Sequence, residues 1–410
     1  MLAANEHLVV PTRSCNIRPM ERGGTALRQA VEERAITFVL GAGVSKPRGV
    51  PDWRGLTRLL WTKLLDEKSV PLWLRDNDKA LAATREWLSQ SASPELAPRV
   101  GLDTPHPLAD QMAIELLRER TGNDAKFVEA LRSALYATAT RHPDPNDTLG
   151  VLSQVLVAQQ AAESRRVLRV ITFNADDHLE TEGNRGHSVK RDPVLWPIAR
   201  ESGHPRMSRG ANGKAPIPVY HVHGFLPRHG AVQRWRDAPD TLVFTDSEYW
   251  ATVASSLTFA NRVMAQALHD SSCIFVGTSM YDVNLIRWLG VRYNAICNDV
   301  ASQHGQSRAA TRKRAHDALS RHFWIRNESS DPHGLISELL LARGVRSVRL
   351  EAWGAPFQKL LFDSFAMKPK PGARRARRVA RSAAQERAGA GWHTPATGST
   401  ALPNKSAAGK

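Results

Sequence analysis

Cysteine is scarce in this chain of 410 residues: Cys15, Cys273 and Cys297 stand far apart, and no CxxC pair occurs. This spacing excludes a four-cysteine zinc ribbon, and so few cysteines give no sign of a disulfide framework. No stretch approaches the roughly 18 apolar residues that a membrane helix needs. The N-terminus also lacks the basic and apolar regions of a signal peptide. These absences predict a soluble cytoplasmic protein that does not contact a membrane.

Acidic residues are outnumbered, with 40 Asp and Glu against 56 Lys and Arg and a net charge of +16. Residues 368–410 hold ten Lys and Arg but a single acid, Glu386, so this segment alone carries +9. Its Ala, Gly, Ser and Pro content is typical of a disordered basic C-terminal tail, predicted over 367–410. A solvated extension and a contact with nucleic-acid phosphates both remain open. If the tail binds DNA, deleting 368–410 should remove most salt-dependent DNA binding and leave the rest of the protein intact.

Short apolar runs alternate with helical patterns along the rest of the chain. The alternation predicts an α/β fold, a Rossmann-like doubly wound parallel sheet. A helical insertion is predicted over 56–163, inside a domain at 25–366 that follows an N-terminal extension at 1–24. The predicted strands are 35–40, 166–173, 218–224, 241–245, 272–277, 322–325 and 345–353. The helical patterns that bear on the prediction are 56–67, 108–120, 126–137 and 255–270.

A glycine-rich turn, Gly41-Ala42-Gly43-Val44-Ser45, follows the first predicted strand. Such a turn offers backbone N–H groups to an anion, although it is also a common tight corner between a strand and a helix. It is neither a P-loop nor a complete dinucleotide fingerprint, because Lys46 comes too early for the first and replaces the third glycine of the second. The turn is followed by Pro51-Asp52-Trp53-Arg54, a rigid segment with an acid, an aromatic and a cation. Trp53 is placed to cover a flat heterocycle and Arg54 to bind phosphate, unless the first caps the core and the second is solvated.

Polar residues also follow three later strands, where parallel sheets bind ligands. Asn174 and Asp176 come after one strand, and either bind a ribose hydroxyl, a water or an amide, or form an Asx turn that caps a helix. Gly277, Ser279 and Asp282 come after another, and leave room for a sugar or phosphate unless they only cap the next helix.

Two histidines, His221 and His223, point to the same side of a predicted strand. A metal site is open but lacks further ligands nearby, and a structural role is open for either residue. His223, beside Gly224 at the strand end, is the better placed of the two for general base catalysis near neutral pH.

Taken in order, these motifs resemble the sirtuin signature. GAGVS, a gap of three residues and GVPDWR match its first motif, TFNAD matches its Thr-x-Asn-x-Asp loop, and His223-Gly224 matches its catalytic His-Gly. Gly277-Thr278-Ser279 matches its nucleotide-binding Gly-Thr-Ser. The motifs span residues 41 to 282, and the strand pattern extends the likeness to about residue 353.

The resemblance implies a role for each matched residue. Asn174 would engage the nicotinamide ribose or the attacking water, and His223 would act on a ribose hydroxyl. Asp176 would meet the carboxamide. The remaining residues would bind NAD+: the diphosphate by Gly41, Ala42, Gly43 and Ser45, the nicotinamide and phosphate side by Pro51, Asp52, Trp53 and Arg54, and the adenosine half by Gly277 and Ser279, with Asp282 near the ribose.

Several departures bear on the activity. Deacylating sirtuins usually have Gln at the position of Phe173 and Phe at the position of Trp53, and they carry the zinc ribbon that this chain lacks. Thr245-Asp246-Ser247-Glu248-Tyr249 resembles a feature of sirtuin-like domains in bacterial antiphage defence proteins, the branch that hydrolyses NAD+ to starve an infected cell.

The resemblance therefore implies an NAD+ glycohydrolase that releases nicotinamide and ADP-ribose without a metal. A module that senses NAD or ADP-ribose remains open, although it would not need both Asn174 and His223. A protein deacylase or ADP-ribosyl transferase also remains open, although nothing in the sequence marks an acyl-lysine groove. Because a toxic hydrolase must be held inactive, a homo-oligomer or a regulatory partner such as an ATPase, a nuclease or an Argonaute-like protein is expected.

Overall fold

Seven parallel strands form one sheet in the part of the chain that the structure describes. The computed structural model describes residues 19–65, 109–140, 143–187, 193–201, 213–228, 241–280, 282–304 and 321–367. The sheet order is β3-β4-β2-β1-β5-β6-β7, and every neighbouring pair is parallel. The strands are β1 (Ile36–Leu40), β2 (Val167–Thr172), β3 (Leu195–Ile198), β4 (Ile217–His221), β5 (Ser272–Val276), β6 (His322–Asn327) and β7 (Val345–Leu350). The predicted α/β class with a doubly wound parallel sheet is confirmed.

In the described residues, helices lie between all consecutive strands except β3 and β4, as expected for crossover connections between parallel strands. They are α1 (Pro19–Glu33), α2 (Trp53–Leu64), α3 (Ala109–Thr121), α4 (Asp124–Leu135), α5 (Thr148–Ala161), α6 (His178–Gly183), α7 (Asp246–Ala254), α8 (Phe259–Asp270), α9 (Val283–His304), α10 (Leu335–Leu341) and α11 (Ala355–Ser364). None of these described helices combines the length and the apolar character needed to cross a membrane.

Hydrophobic residues cover both faces of the sheet, because successive side chains of a strand point to opposite sides. In β1, Phe38 and Leu40 pack on the face that carries α1, α5 and α11, whereas Val39 packs on the face of α8 and α9. In β5, Ile274 and Phe275 divide between the two faces in the same way. Strands buried on both sides explain why β1 and β5 read as continuous apolar runs.

A third hydrophobic cluster lies outside the sheet, where α2, α3 and α4 pack together. Leu60, Ile114 and Leu131 are fully buried in it. Loop residues Leu242 and Phe244 complete the cluster, although the apolar run at 241–245 predicts a strand. That prediction is wrong. Residues 241–245 do not join the sheet: Val243 N donates a hydrogen bond to the His223 backbone carbonyl, and the side chains of Leu242 and Phe244 pack on the helices.

Further differences concern one missed strand and the starts of two helices. The sequence pattern missed β3, an edge strand that contains Pro197 and therefore reads poorly as a strand. Helix α2 begins at Trp53, not at 56, because the Asp52 side chain accepts a hydrogen bond from Gly55 N at 3.0 Å. Helix α8 begins at Phe259 after a Thr258 cap, not at 255. The predicted domain boundary at residue 25 falls inside α1. Residues 368–410, where the tail is predicted, lie outside the described residues. The domain division stays a prediction.

Candidate active site

The carboxyl ends of β1, β2, β4 and β5 meet at one edge of the sheet, around a cavity of about 340 Å³. The chain leaves β1 toward β2 on one side and places β5 on the other, so the cavity lies at the point where the strand order reverses. Open α/β sheets bind their ligands at this point. Twelve of the residues singled out from the sequence line the cavity: Gly41, Ala42, Gly43, Pro51, Asp52, Trp53, Asn174, Asp176, His223, Gly277, Ser279 and Asp282.

Two predicted site residues are not part of the lining. Ser45 is buried beneath the cavity, where its hydroxyl donates to Asp176 Oδ1 at 3.3 Å and accepts from Asn174 Nδ2 at 3.1 Å. Arg54 lies in the first turn of α2, half-buried. Ser45 therefore supports two residues that do reach the cavity.

The glycines after β1 and β5 bring two backbone segments into direct contact. A Cβ on Gly41 would lie 2.5 Å from the Gly277 carbonyl oxygen, and one on Gly277 would lie 2.6 Å from Val44 N. Gly43 N donates to the Gly277 carbonyl at 3.0 Å, and Gly277 has a left-handed φ of +67°. The loop-to-loop packing accounts for these glycines before any ligand is considered.

Asn174 is held on all sides at the end of β2. Its side-chain amide donates to the Gly41 carbonyl at 3.2 Å and to Ser45 Oγ, and its backbone N–H donates to Thr172 Oγ1 at 3.1 Å. The backbone carbonyl oxygen of Asn174 lies 2.8 Å from His221 Nδ1. The residue that reaches the cavity from β2 is thus fixed in orientation from three neighbouring segments.

Asp176 lines the cavity, and one of its two carboxylate oxygens has no partner among the described residues. Oδ1 accepts from His178 N at 3.1 Å and from Ser45 Oγ, whereas Oδ2 is buried and has no hydrogen-bond partner among the described residues. Burial raises the pKa of Asp176, although its hydrogen bonds oppose the shift. An unpartnered buried acceptor at a cavity is a ready binding point for a ligand N–H group.

His223 presents an imidazole that is 4% exposed and whose Nε2 has no hydrogen-bond partner among the described residues. Phe173 packs against the ring at a centroid distance of 5.1 Å, and Tyr249 lies at 6.4 Å on another side. Burial lowers the pKa of His223, while the nearby Asp282 carboxylate acts to raise it. The ring is therefore held neutral and able to accept a proton at neutral pH.

Asp282 and Tyr249 form a pair beside His223 that sequence reasoning did not assemble. Asp282 Oδ1 caps α9 by accepting from Leu285 N at 2.9 Å, and the Tyr249 hydroxyl accepts from Asn284 N at 3.2 Å. Burial and the Asp282 carboxylate together raise the pKa of Tyr249. Although Thr245–Tyr249 stood out in the sequence, no pattern there indicated that Tyr249 would reach Asp282.

An apolar wall closes the cavity on the side of the third hydrophobic cluster. Trp53 and Phe244 pack with ring centroids 5.3 Å apart, and Val50, Leu56 and Leu135 line the cavity beside them. At the mouth, the exposed Lys46 and Asp52 side chains form an ion pair at 3.2 Å. A cavity with one apolar wall and a few convergent polar groups suits a small aromatic ligand with polar substituents. Phe244 and Leu135 were missed because they come from segments with no binding motif.

No group of three or more His, Cys, Asp or Glu side chains in the described ranges is arranged to hold a metal ion. His221 instead uses both ring nitrogens within the protein, at Asn174 and at Glu180. The metal-free chemistry expected from the sequence remains a prediction.

Fold and cavity together define an α/β protein with a cavity at the point where the strand order of its parallel sheet reverses. A protein-family model for a SIR2-like domain matches residues 168–333, which include the loops after β2, β4 and β5. The Gly41–Ser45 loop lies outside the matched range, although it shares the cavity with residues inside it. No curated protein matches the chain. SIR2-like domains are typically NAD-consuming enzymes, so the match implies an NAD-related activity.

Proposed function

We propose that this protein hydrolyses the bond between nicotinamide and ribose in NAD+. The observation that carries the proposal is the meeting of Asn174 and His223 at one cavity, with the buried His223 Nε2 lacking a partner. A module that only senses a nucleotide has no need of a neutral buried base beside a fixed amide. The SIR2-like match over 168–333 supports the choice of NAD+ as substrate.

The residues present fit the nicotinamide half of NAD+. The carboxamide N–H groups suit the unpartnered Asp176 Oδ2, and the flat ring suits the wall of Trp53 and Phe244. The diphosphate suits the loop that begins at Gly41, because the exposed Lys46 at the cavity mouth can exchange its Asp52 carboxylate partner for a phosphate.

In the proposed reaction, the C1′–N bond breaks and its electron pair goes to the pyridinium nitrogen, so nicotinamide leaves as a neutral molecule. Water attacks C1′, and its proton passes through the ribose hydroxyls to His223. Asn174 orients the water and the ribose. A positioned base contributes on the order of 10²–10⁴ in rate, and orientation supplies a large further part. The products are ADP-ribose, nicotinamide and one proton.

The first experiment is chromatography of NAD+ after incubation with the purified full-length protein. We expect nicotinamide and ADP-ribose in equal amounts, and we expect Asn174→Ala to lower the rate by about 10²-fold or more. Asn298→Ala is the matched control, because it makes the same chemical change on the exposed surface of α9. Both variants are compared with the parent by thermal melting.

Other outcomes identify the other candidate functions. Intact NAD+ that is tightly bound, even with candidate activators present, indicates a sensing module. Release of nicotinamide only when an acylated peptide or another acceptor is added indicates a deacylase or transferase. Equal turnover by the parent and Asn174→Ala would contradict the proposed role of Asn174.

The biological setting is a proposal that rests on the resemblance to antiphage proteins. We propose that the enzyme depletes NAD+ in the cytoplasm of an infected cell, and that assembly of a homo-oligomer or a partner protein releases its activity. Growth arrest on expression of the parent, but not of Asn174→Ala, is the expected result. A change in turnover with protein concentration would support control by oligomerisation.

A further inference from the structure

A buried acid–histidine pair lies behind Asn174, outside the cavity. Glu180 on α6 is 0% exposed and His221 at the end of β4 is 1% exposed, and Glu180 Oε1 lies 2.7 Å from His221 Nε2. The other ring nitrogen, Nδ1, lies 2.8 Å from the Asn174 carbonyl oxygen. The pair therefore connects α6 and β4 to the loop after β2.

The position of the protons follows from the partners. A carbonyl oxygen only accepts hydrogen bonds, so Nδ1 must carry a proton. Nε2 faces a carboxyl oxygen, so the Glu180–His221 contact holds a second proton, either on the ring or on the acid. Neutral His221 beside an ionised Glu180 would leave one of the two contacts without a proton. The structure thus requires the Nδ1–H form of the ring.

The surroundings agree with this arrangement. Although burial acts to lower it, the pKa of His221 is raised by Glu180, by the Asn174 carbonyl and by Asp176. Phe225 packs on the ring at a centroid distance of 4.3 Å and keeps it from solvent. Glu180 Oε2 has no hydrogen-bond partner among the described residues, so His221 is the contact that compensates the burial of this acid.

We propose that Glu180 and His221 are positioning residues that fix Asn174 for catalysis: Glu180 shares a second proton with Nε2 of His221, so that Nδ1 stays protonated, and His221 donates this Nδ1–H to the Asn174 backbone carbonyl. The inference rests on the proposed function in so far as Asn174 acts on NAD+. Neither side chain lines the cavity, so neither is expected to touch the substrate. A displacement of Asn174 by about 1 Å is enough to cost on the order of 10²-fold in rate.

The test uses three variants in the full-length protein. Glu180→Gln keeps the Nδ1–H form, because its amide donates to Nε2, and we expect it to retain most of the parent kcat. His221→Leu removes the bond to Asn174, and we expect kcat to fall by about 10- to 10²-fold with KM little changed. Glu180→Leu with His221→Leu replaces the pair by apolar residues, which removes the unpaired buried acid and protects folding. It should lose kcat like His221→Leu even when its melting temperature matches the parent.

A double-mutant cycle separates positioning from general stability. In an Asn174→Ala background, His221→Leu should cause no further loss of kcat, because it acts only through Asn174. A full additional loss there overturns the inference, as does parent-like kcat in the folded double-Leu variant.

Nuclear magnetic resonance gives a readout that does not depend on turnover. With [¹⁵N]Asn labelling, the Asn174 side-chain amide signal, assigned by its loss in Asn174→Ala, should move in His221→Leu and stay in place in Glu180→Gln. An unmoved signal in His221→Leu overturns the inference. A parent that hydrolyses no NAD+ but shows the expected movement overturns the proposed function and leaves the positioning intact.

Discussion

At the scale of single residues, the burial of His223 makes a prediction about pH. A general base works only while neutral, and the buried ring has a pKa below its ordinary value of about 6.5. Turnover of NAD+ should therefore persist on acidification past about pH 6.5 and fall only when the lowered pKa is reached. The acid limb of kcat/KM reports this pKa in the free enzyme.

Asp282 provides the control for this profile. Its carboxylate acts to raise the pKa of His223, so Asp282→Asn should move the acid limb to still lower pH. The amide oxygen keeps an acceptor for Leu285 N, which preserves the cap of α9. A limb above pH 6.5, or one that Asp282→Asn leaves in place, would show that another group limits the rate.

Single residues also show what the sequence could and could not predict about the site. Asn174, Asp176 and His223 were predictable because the carboxyl ends of parallel strands must meet at one edge. The role of Glu180 was not predictable, because it depends on contact with His221, which is 41 residues away in sequence. Gly41 and Gly43 were predicted to bind a ligand, yet in the structure a side chain at either position would collide with the backbone of Gly277.

At the scale of elements, the contact between the loops after β1 and β5 gives a prediction about stability. Gly277→Ala places a Cβ 2.6 Å from Val44 N and forces a side chain into the left-handed region, which costs about 1–2 kcal/mol before the clash is added. We expect a loss of at least about 2 kcal/mol in the free energy of unfolding, together with weaker NAD+ binding, because the Gly41 loop must shift. Urea unfolding measures the first and calorimetric titration the second.

Gly290→Ala is the matched control in α9. A Cβ there meets nothing within 4 Å, so the higher helix propensity of Ala should stabilise the protein by up to about 1 kcal/mol. Equal effects of the two substitutions would mean that the contact between the loops after β1 and β5 does not stabilise the protein.

Elements differed in how well the sequence predicted them. Strands β1 and β5 were predictable because burial on both faces leaves a continuous apolar run, and β2 was predictable from its β-branched residues although Arg169 interrupts its run. The same reasoning failed for 241–245, where an apolar run packs Leu242 and Phe244 on helices instead of joining the sheet. Local pattern shows that a segment is buried, but only the fold decides which surface it is buried against.

At the scale of the whole molecule, a buried neutral histidine links folding to pH. His178 is 7% exposed, and burial is the main cause that lowers its pKa to about 4. Because the unfolded chain binds a proton near pH 6.5 and the folded chain does not, stability is lost as the pH falls from about 6.5 toward 4. This one residue accounts for a loss of about 3 kcal/mol across that window.

Other buried groups titrate too, so the prediction is a difference between two proteins. Burial raises the pKa of Asp176 and Asp177, which opposes the effect of His178 as the pH falls. His178→Phe keeps a ring beside Tyr136, now 5.5 Å from His178, and removes only the titrating group. Between pH 7 and 5, the unfolding free energy of His178→Phe should therefore fall less steeply than that of the parent. Urea denaturation at each pH measures both. His269→Phe on the surface is the control for the change of residue type. Parallel curves for the parent and His178→Phe would mean that His178 takes up its proton over the same pH range in the folded and the unfolded chain, so that burial does not hold its ring neutral.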